Sequence, residues 1–216
     1  MIPAARTRTS ASLPYDLAEA DDETRWDFQA TVGFPLPFVE IRVRAGDEDV
    51  PWDGEAMGEL EVRGPWVAAS YFEAPECADR WTEDGWFRTG DIVSIHPRGF
   101  IQIKDRSKDV IKSGGEWISS VELENALMAH PAVAESAVIA VPDDKWGERP
   151  LAAVVLREGA SATADELREF LAPGFAKWWV PDRIEFVAEI PKTSVGKFRK
   201  IALREQFAGA EAAPLH

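Results

Sequence analysis

The sequence predicts an α+β protein: a short antiparallel β-rich segment followed by a small α+β domain. Three observations lead there. From residue 31 to about 105, apolar residues alternate with charged ones in short runs closed by Gly, Pro or Asp. Just past residue 115 the apolar period lengthens to that of a helix, and strand-like and helix-like runs then interleave to the end. With 216 residues, 45% of them hydrophobic, the chain can bury the core of one large domain or two small ones.

Residues 1 to about 30 show no sustained period, and "LAEADDETRWDF" accommodates one short helix. The opening "MIPAARTRTSASLPYD" is basic and rich in Ser, Thr and Ala but lacks the apolar core of a signal peptide. It reads as an irregular segment, with a transit peptide as the alternative. "VEIRVR" (39–44) and "GELEVRG" (58–64) alternate as half-buried strands do, joined by the turn-rich "AGDEDVPWDGEAMG". In "WTEDGWFRTGDIVSIHPRGFIQIKDR" (81–106) a DG turn precedes a strand from Ile92 to Ile95, and a Pro-Arg-Gly turn leads to the strand "FIQIKD".

The charged, glycine-ended stretch "KDRSKDVIKSGG" (104–115) is the expected boundary, either a surface loop or a hinge. In "ISSVELENALMAHP", Val121, Leu123, Ala126, Leu127 and Met128 form a helical stripe, with a capping box from Ser119 and Glu122 and Pro131 just past the end. "VAESAVIAV" (133–141) and "LAAVVLR" (151–157) read as strands. Thr163 with Glu166 caps the helix "ADELREFLAP", "RIEFVAEI" (183–190) reads as a strand, and "KIALREQF" (200–207) as a final helix.

Composition excludes several classes. The 38 acidic against 24 basic residues give a net charge of −14, which repels a nucleic-acid backbone, so any phosphate-bearing ligand must meet a local basic cluster. No apolar run is long enough to span a bilayer. The single cysteine, Cys77, excludes an internal disulfide and a multi-cysteine zinc site, and fits a reducing compartment such as the cytoplasm. Of three histidines, His96 and His130 each precede a proline and His216 is terminal, so they read as turn and helix-end residues and no metal site is expected. Most of the nine tryptophans, including the pair Trp178 and Trp179, read as packing residues.

Three stretches carry chemistry. "PKTSVGKFRK" (191–200) invites a phosphate-loop reading, but Pro191 stands where that motif needs its first glycine and Phe198 where it needs Ser or Thr. There remains a loop exposing Lys197, a point charge on a long stem, against the simpler alternative of a solvated surface lysine. In "WFRTGD" (86–91), Asp91 at a strand entrance can accept two hydroxyl hydrogen bonds from a ribose, or pair with Arg88 in a turn. "SGGE" (113–116) offers unobstructed backbone N–H groups before a helix, suited to a phosphate or a close-lying chain, or makes a plain turn.

Together, "GELEVRGPWVAASYF", "GWFRTGD", "KDRSKDVIKSGGEWISSVELE", "HPAVAESAVIAVPDDKWGERP" and "PKTSVGK" resemble, in order and spacing, the C-terminal part of the adenylate-forming (AMP-binding) enzymes. That superfamily includes acyl-CoA synthetases, peptide-synthetase adenylation domains and luciferases. The resemblance covers residues 31 to 207, and "IKSGGEWISSVELEN" with "AKWWVPD" looks most like medium-chain fatty acyl-CoA ligases. It implies an acid–thiol ligase in which a fatty acid and ATP give acyl-AMP and pyrophosphate, after which coenzyme A displaces AMP. It further implies Lys197 as the cation of the adenylation step, Asp91 on the ribose hydroxyls and Arg106 at the ribose and phosphate region. Lys108 is then the hinge, and Gly114 and Gly115 line the path of coenzyme A's pantetheine arm.

On this resemblance, residues 1–105 are the end of the large AMP-binding domain and 106–216 the complete mobile C-terminal domain. The phosphate loop, acyl pocket and Mg2+-binding motif belong to a missing N-terminal region, without which activity is not expected, and self-association through the uncovered face is a further expectation. Two other classes stay open. One is a non-catalytic remnant or interaction module, and the other a ligase acting on a carrier-protein thiol.

Overall fold

The computed structural model describes Leu17 and residues 19–207, and its contacts divide the chain into two compact units, Met1–Lys108 and Asp109–His216. Among its described residues the first unit has the helix α1 (Asp22–Gln29), whose start is set by Asp21 accepting a hydrogen bond from the Thr24 N–H. Five strands follow: β1 (Glu40–Ala45), β2 (Glu48–Asp49), β3 (Gly58–Arg63), β4 (Phe87–Ile95) and β5 (Ile101–Arg106). They form one antiparallel sheet in the order β2-β1-β3-β4-β5. Val43, Val93, Ile95 and Ile101 build one core cluster, and Val39, Val62 and Phe87 another. This is the expected meander.

Strand β4 is longer than the expected Ile92–Ile95. It runs from Phe87, so Asp91 lies inside a strand rather than at its entrance. The register explains how. Glu59 pairs with Ile92 but Glu61 with Arg88, leaving Thr89, Gly90 and Asp91 opposite a single residue of β3. Gly90 takes a positive φ of 75° in this bulge, which re-aims the next side chain without ending the strand.

The second unit contains β6 (Ile111–Ser113), β7 (Glu116–Ile118), α2 (Ser120–Met128), β8 (Val133–Asp143), β9 (Gly147–Leu156), α3 (Ala164–Leu171), β10 (Arg183–Phe186) and α4 (Lys200–Phe207). Its sheet runs β10-β9-β6-β7, with β8 paired antiparallel to β9 and β10 parallel to it. Alternation along β8 and β9 sorts the core by face. Val138, Ala152 and Val154 pack with Leu123 and Leu127 of α2 and Leu167 and Leu171 of α3. Ala137, Ile139, Leu151 and Ala153 pack with Leu203 of α4. Both units together make the α+β class read from the sequence.

Several local readings change. The stretch 104–115 is not one loop: β5 extends to Arg106 and β6 starts at Ile111. "SGGE" does not lead directly into a helix but turns the β6–β7 hairpin. The buried stripe of α2 is Ser120, Leu123, Glu124 and Leu127, while Val121 is exposed. Strand β10 stops at Phe186, short of the expected 190. Ser119 and Thr163 do cap their helices, and the Thr163–Glu166 box is reciprocal.

The histidines serve turns, His96 Nδ1 accepting from the Arg98 N–H and His130 Nδ1 from the Ala132 N–H. His216 lies outside the described residues. Trp179 packs on the core beside Phe175, whereas Trp178 is half exposed and contributes its carbonyl oxygen instead. Among the described residues no helix is long and apolar enough to cross a membrane.

Candidate functional site

In the first unit the sheet brings Asp91 and Arg106 together. They are cross-strand partners on β4 and β5, and Arg106 Nη1 lies 2.7 Å from Asp91 Oδ1. Asp91 is only 8% exposed, and burial pushes its carboxyl above the usual range, against the pull of Arg106 and with a push from Glu59. Arg106 stays exposed and can serve a second acceptor. Arg88 does not pair with Asp91: it reaches the Asp79 carbonyl at 2.8 Å and the buried Glu61 at 3.4 Å. The guanidinium groups of Arg42 and Arg63 each lie 4.5 Å from the ring of the neighbouring Trp86. Lys108 is exposed and is the last residue of this unit.

Gly114 and Gly115 form the two-residue turn of the β6–β7 hairpin with φ of 61° and 91°, a turn that needs positive φ at both positions. A Cβ on Gly114 would stand 2.7 Å from Trp146 Cε3, whereas one on Gly115 would meet nothing within 4 Å. The Gly114 N–H donates to the Trp146 carbonyl at 2.8 Å. The tip therefore presents bare backbone on one side and rests on an indole on the other.

Lys197 sits in a turn closed by Lys192 pairing with Phe198. Within it, Thr193 N–H donates to Lys197 O at 2.7 Å, Gly196 N–H to Thr193 O at 2.9 Å, and Lys197 N–H to Thr193 Oγ1 at 3.2 Å. Gly196 has φ of 80°. The Lys197 side chain is exposed, and among the described residues it has no ion-pair or hydrogen-bond partner. No hydrogen bond or ion pair among the described residues joins this turn to the glycine hairpin.

Two supports are absent from the sequence reading. Lys200, the first residue of α4, places Nζ 2.6 Å from both Glu124 Oε1 and Ser120 Oγ, and the same Glu124 oxygen accepts the Val138 N–H at 2.7 Å. Arg149, on β9, reaches Ser113 Oγ, the Trp178 carbonyl and Asp182. The available signal was a charge at a core position. Glu124 occupies the apolar stripe of α2, and Arg149 immediately precedes the apolar run of β9.

Among the described residues no group of three or more His, Cys, Asp or Glu side chains is placed to hold a metal.

Residues 122–197 match the model of the AMP-binding enzyme C-terminal domain, a match ending on Lys197. Over 196 residues the chain is 52% identical to a long-chain-fatty-acid–CoA ligase of Thermus thermophilus, covering 88% of this chain and 36% of the relative. A medium-chain-fatty-acid–CoA ligase of Ectopseudomonas oleovorans is 43% identical over 177 residues, covering 81% and 32%. The crystal structure of ATP-bound MatB from Rhodopseudomonas palustris superimposes with a TM-score of 0.74 at 34% identity, covering 85% of this chain and 37% of that one. The chain thus spans about a third of the length of these relatives. Residues 122–197 are an AMP-binding enzyme C-terminal domain, and most of the chain resembles a part of the fatty-acid–CoA ligases.

Proposed function

We propose that the chain is the C-terminal portion of an ATP-dependent fatty acid–CoA ligase. In the first half-reaction a carboxylate oxygen attacks the α-phosphorus of ATP, forming acyl-AMP and expelling pyrophosphate. In the second, the thiol sulfur of coenzyme A attacks the acyl carbon, the thiol proton is lost, and AMP leaves. The first unit, with Asp91 and Arg106 both on its sheet, completes the large AMP-binding domain, and the second unit, from Asp109, is the mobile domain that serves both halves. Lys108 is the hinge, a reading supported by the unit boundary falling directly after it.

Asp91 holds the ribose hydroxyls of the nucleotide, and Arg106, its ion-pair partner, contacts the ribose and phosphate region. Lys197 supplies positive charge where negative charge gathers on the transferring phosphorus. Gly114 and Gly115 line the path of the pantetheine arm, where the lack of a side chain lets a chain pass against backbone. Coenzyme A is the acceptor, and the single cysteine suits the cytoplasm, where ATP and coenzyme A are at hand.

The observation that carries this reading is Lys197: an exposed ammonium with no partner among the described residues, on a turn tied by its own backbone, at the last matched residue of the family domain. Lys197→Ala in the full-length enzyme should slow acyl-adenylate formation about 100- to 1,000-fold. Conversion of supplied acyl-adenylate to thioester should persist. Equal loss in both half-reactions would remove the assigned role.

A further inference from the structure

The glycine hairpin is attached to its sheet sparingly. Strands β6 and β7 are three residues each, and β6 pairs with β9 only at Ser113 opposite Gly147. Such a short ribbon does not hold its own place. Four successive residues hold it instead. The Trp146 carbonyl accepts the Gly114 N–H and its indole underlies Gly114. Gly147 makes the strand pair, Glu148 Oε2 accepts the Lys112 N–H at 2.8 Å, and Arg149 Nη1 donates to Ser113 Oγ at 3.2 Å.

Arg149 does more than join this row. It is 7% exposed, and its remaining donors reach Asp182 Oδ2 at 2.6 Å, the Trp178 carbonyl at 2.6 Å and the Val180 carbonyl at 3.5 Å. One rigid fork therefore fixes the hairpin base against the 178–182 segment. Burying a guanidinium against a single carboxylate adds little net stability over a well-packed apolar side chain. Its return is geometric: four acceptors from two separated stretches, Ser113 and 178–182, are held by one planar group.

We propose that Arg149 is a positioning residue for thioester formation, holding the Gly114–Gly115 backbone at the height at which the pantetheine arm passes. The inference rests on the hairpin role proposed above. A tip made of two glycines has no side chain with which to adjust to its ligand, so its location is all it contributes. Misplacement by about 1 Å can cost on the order of 100-fold in a reaction step.

The test uses the full-length enzyme and measures each half-reaction separately. Arg149→Met should raise the KM for coenzyme A and slow conversion of supplied acyl-adenylate by about 10- to 100-fold, with adenylation changed less than about twofold. Ser113→Ala removes only the link between the fork and the hairpin and keeps the other arginine contacts. It should reproduce the selective loss at smaller size, which covers the case in which Arg149→Met fails to fold. Amide exchange should speed up at residues 111–118 in both variants while β8 keeps its protection. Loss of both half-reactions in parallel, or an unaltered thioester step in Ser113→Ala and Arg149→Met, overturns the proposal. Gly115→Val separates the two levels. If it leaves thioester formation intact, the hairpin role itself fails and this inference with it. If it blocks the step while the arginine variants do not, only the positioning role fails.

Discussion

The glycine hairpin and the lysine turn belong to the same unit, and both use glycine at positive φ, yet they are supported in opposite ways. Around Gly114 the fold spends an indole, two carboxylates and a buried guanidinium on an eight-residue ribbon. Around Lys197 the turn has its own backbone bonds and the Thr193 hydroxyl, with ion-pair anchors at its two ends, Lys192 to Glu135 and Lys200 to Glu124. The difference follows from what each presents. Backbone acts at the place where it is fixed, while a lysine on a flexible stem finds its target after the backbone has delivered it to the neighbourhood.

The largest effect should come from cutting the Lys200 anchor of the lysine turn. Lys200 is a cation in the first turn of α4, where the helix field opposes it, and Glu124 offsets that cost. Lys200→Met takes the Lys200 charge away from the buried Glu124 and should cost about 3–5 kcal/mol in chemical denaturation. Adding Glu124→Gln should restore part of this, since the amide oxygen can still accept the Val138 N–H. A single variant as stable as the parent would mean that the turn is not held there.

The two glycines with like φ but unlike surroundings give an intermediate contrast. Gly196→Ala meets open space and should cost about 1–2 kcal/mol from backbone strain alone. Gly114→Ala suffers the same strain and also drives a methyl to 2.7 Å from the Trp146 ring, so its denaturation midpoint should fall further. Equal costs would show that the indole yields and that the bracing is looser than its contacts imply.

The smallest effect is expected in the other unit, at Asp91. Burial holds its carboxyl above the usual range in the fold, so the folded state takes up its proton more readily than the unfolded chain, where the value is about 3.9. The wild type therefore loses stability as pH rises from there through the folded-state value, then levels off. Asp91→Asn should be modestly more stable at neutral pH, with the gain vanishing below about pH 4, while nucleotide binding falls. Melting curves of the pair across that range check the sign. A gain only in acid would reverse the reading.

What could be read from the sequence was local. The Thr163–Glu166 box and the bounds of α4 follow from residues within one turn of each other, and alternation announced the meander. The β6–β7 hairpin escaped because three residues are too few to show a period of two, so the glycines looked like the approach to a helix. Asp91 reads as a strand entrance in the sequence, whereas β4 starts at Phe87 and absorbs Gly90 in a bulge. Arg149 and Lys200 left no spacing signal at all. Their partners Ser113 and Ser120 stand 36 and 80 residues away, and only the fold makes them neighbours.

The pinned ammonium of Lys200 also sets a radius of search. Three peptide units separate it from Lys197, a chain span of at most about 11 Å. Every point the Lys197 ammonium visits lies within that span, plus the stems of the two lysines, of the spot where Ser120 and Glu124 hold the Lys200 ammonium. In the proposed enzyme, bringing this small volume to the nucleotide replaces a bulk encounter with an effective concentration. The leash is also the point at which adenylation can be graded. Glycines inserted between Lys197 and Lys200 would dilute the ammonium step by step, leaving its charge and the fold of the unit as they are.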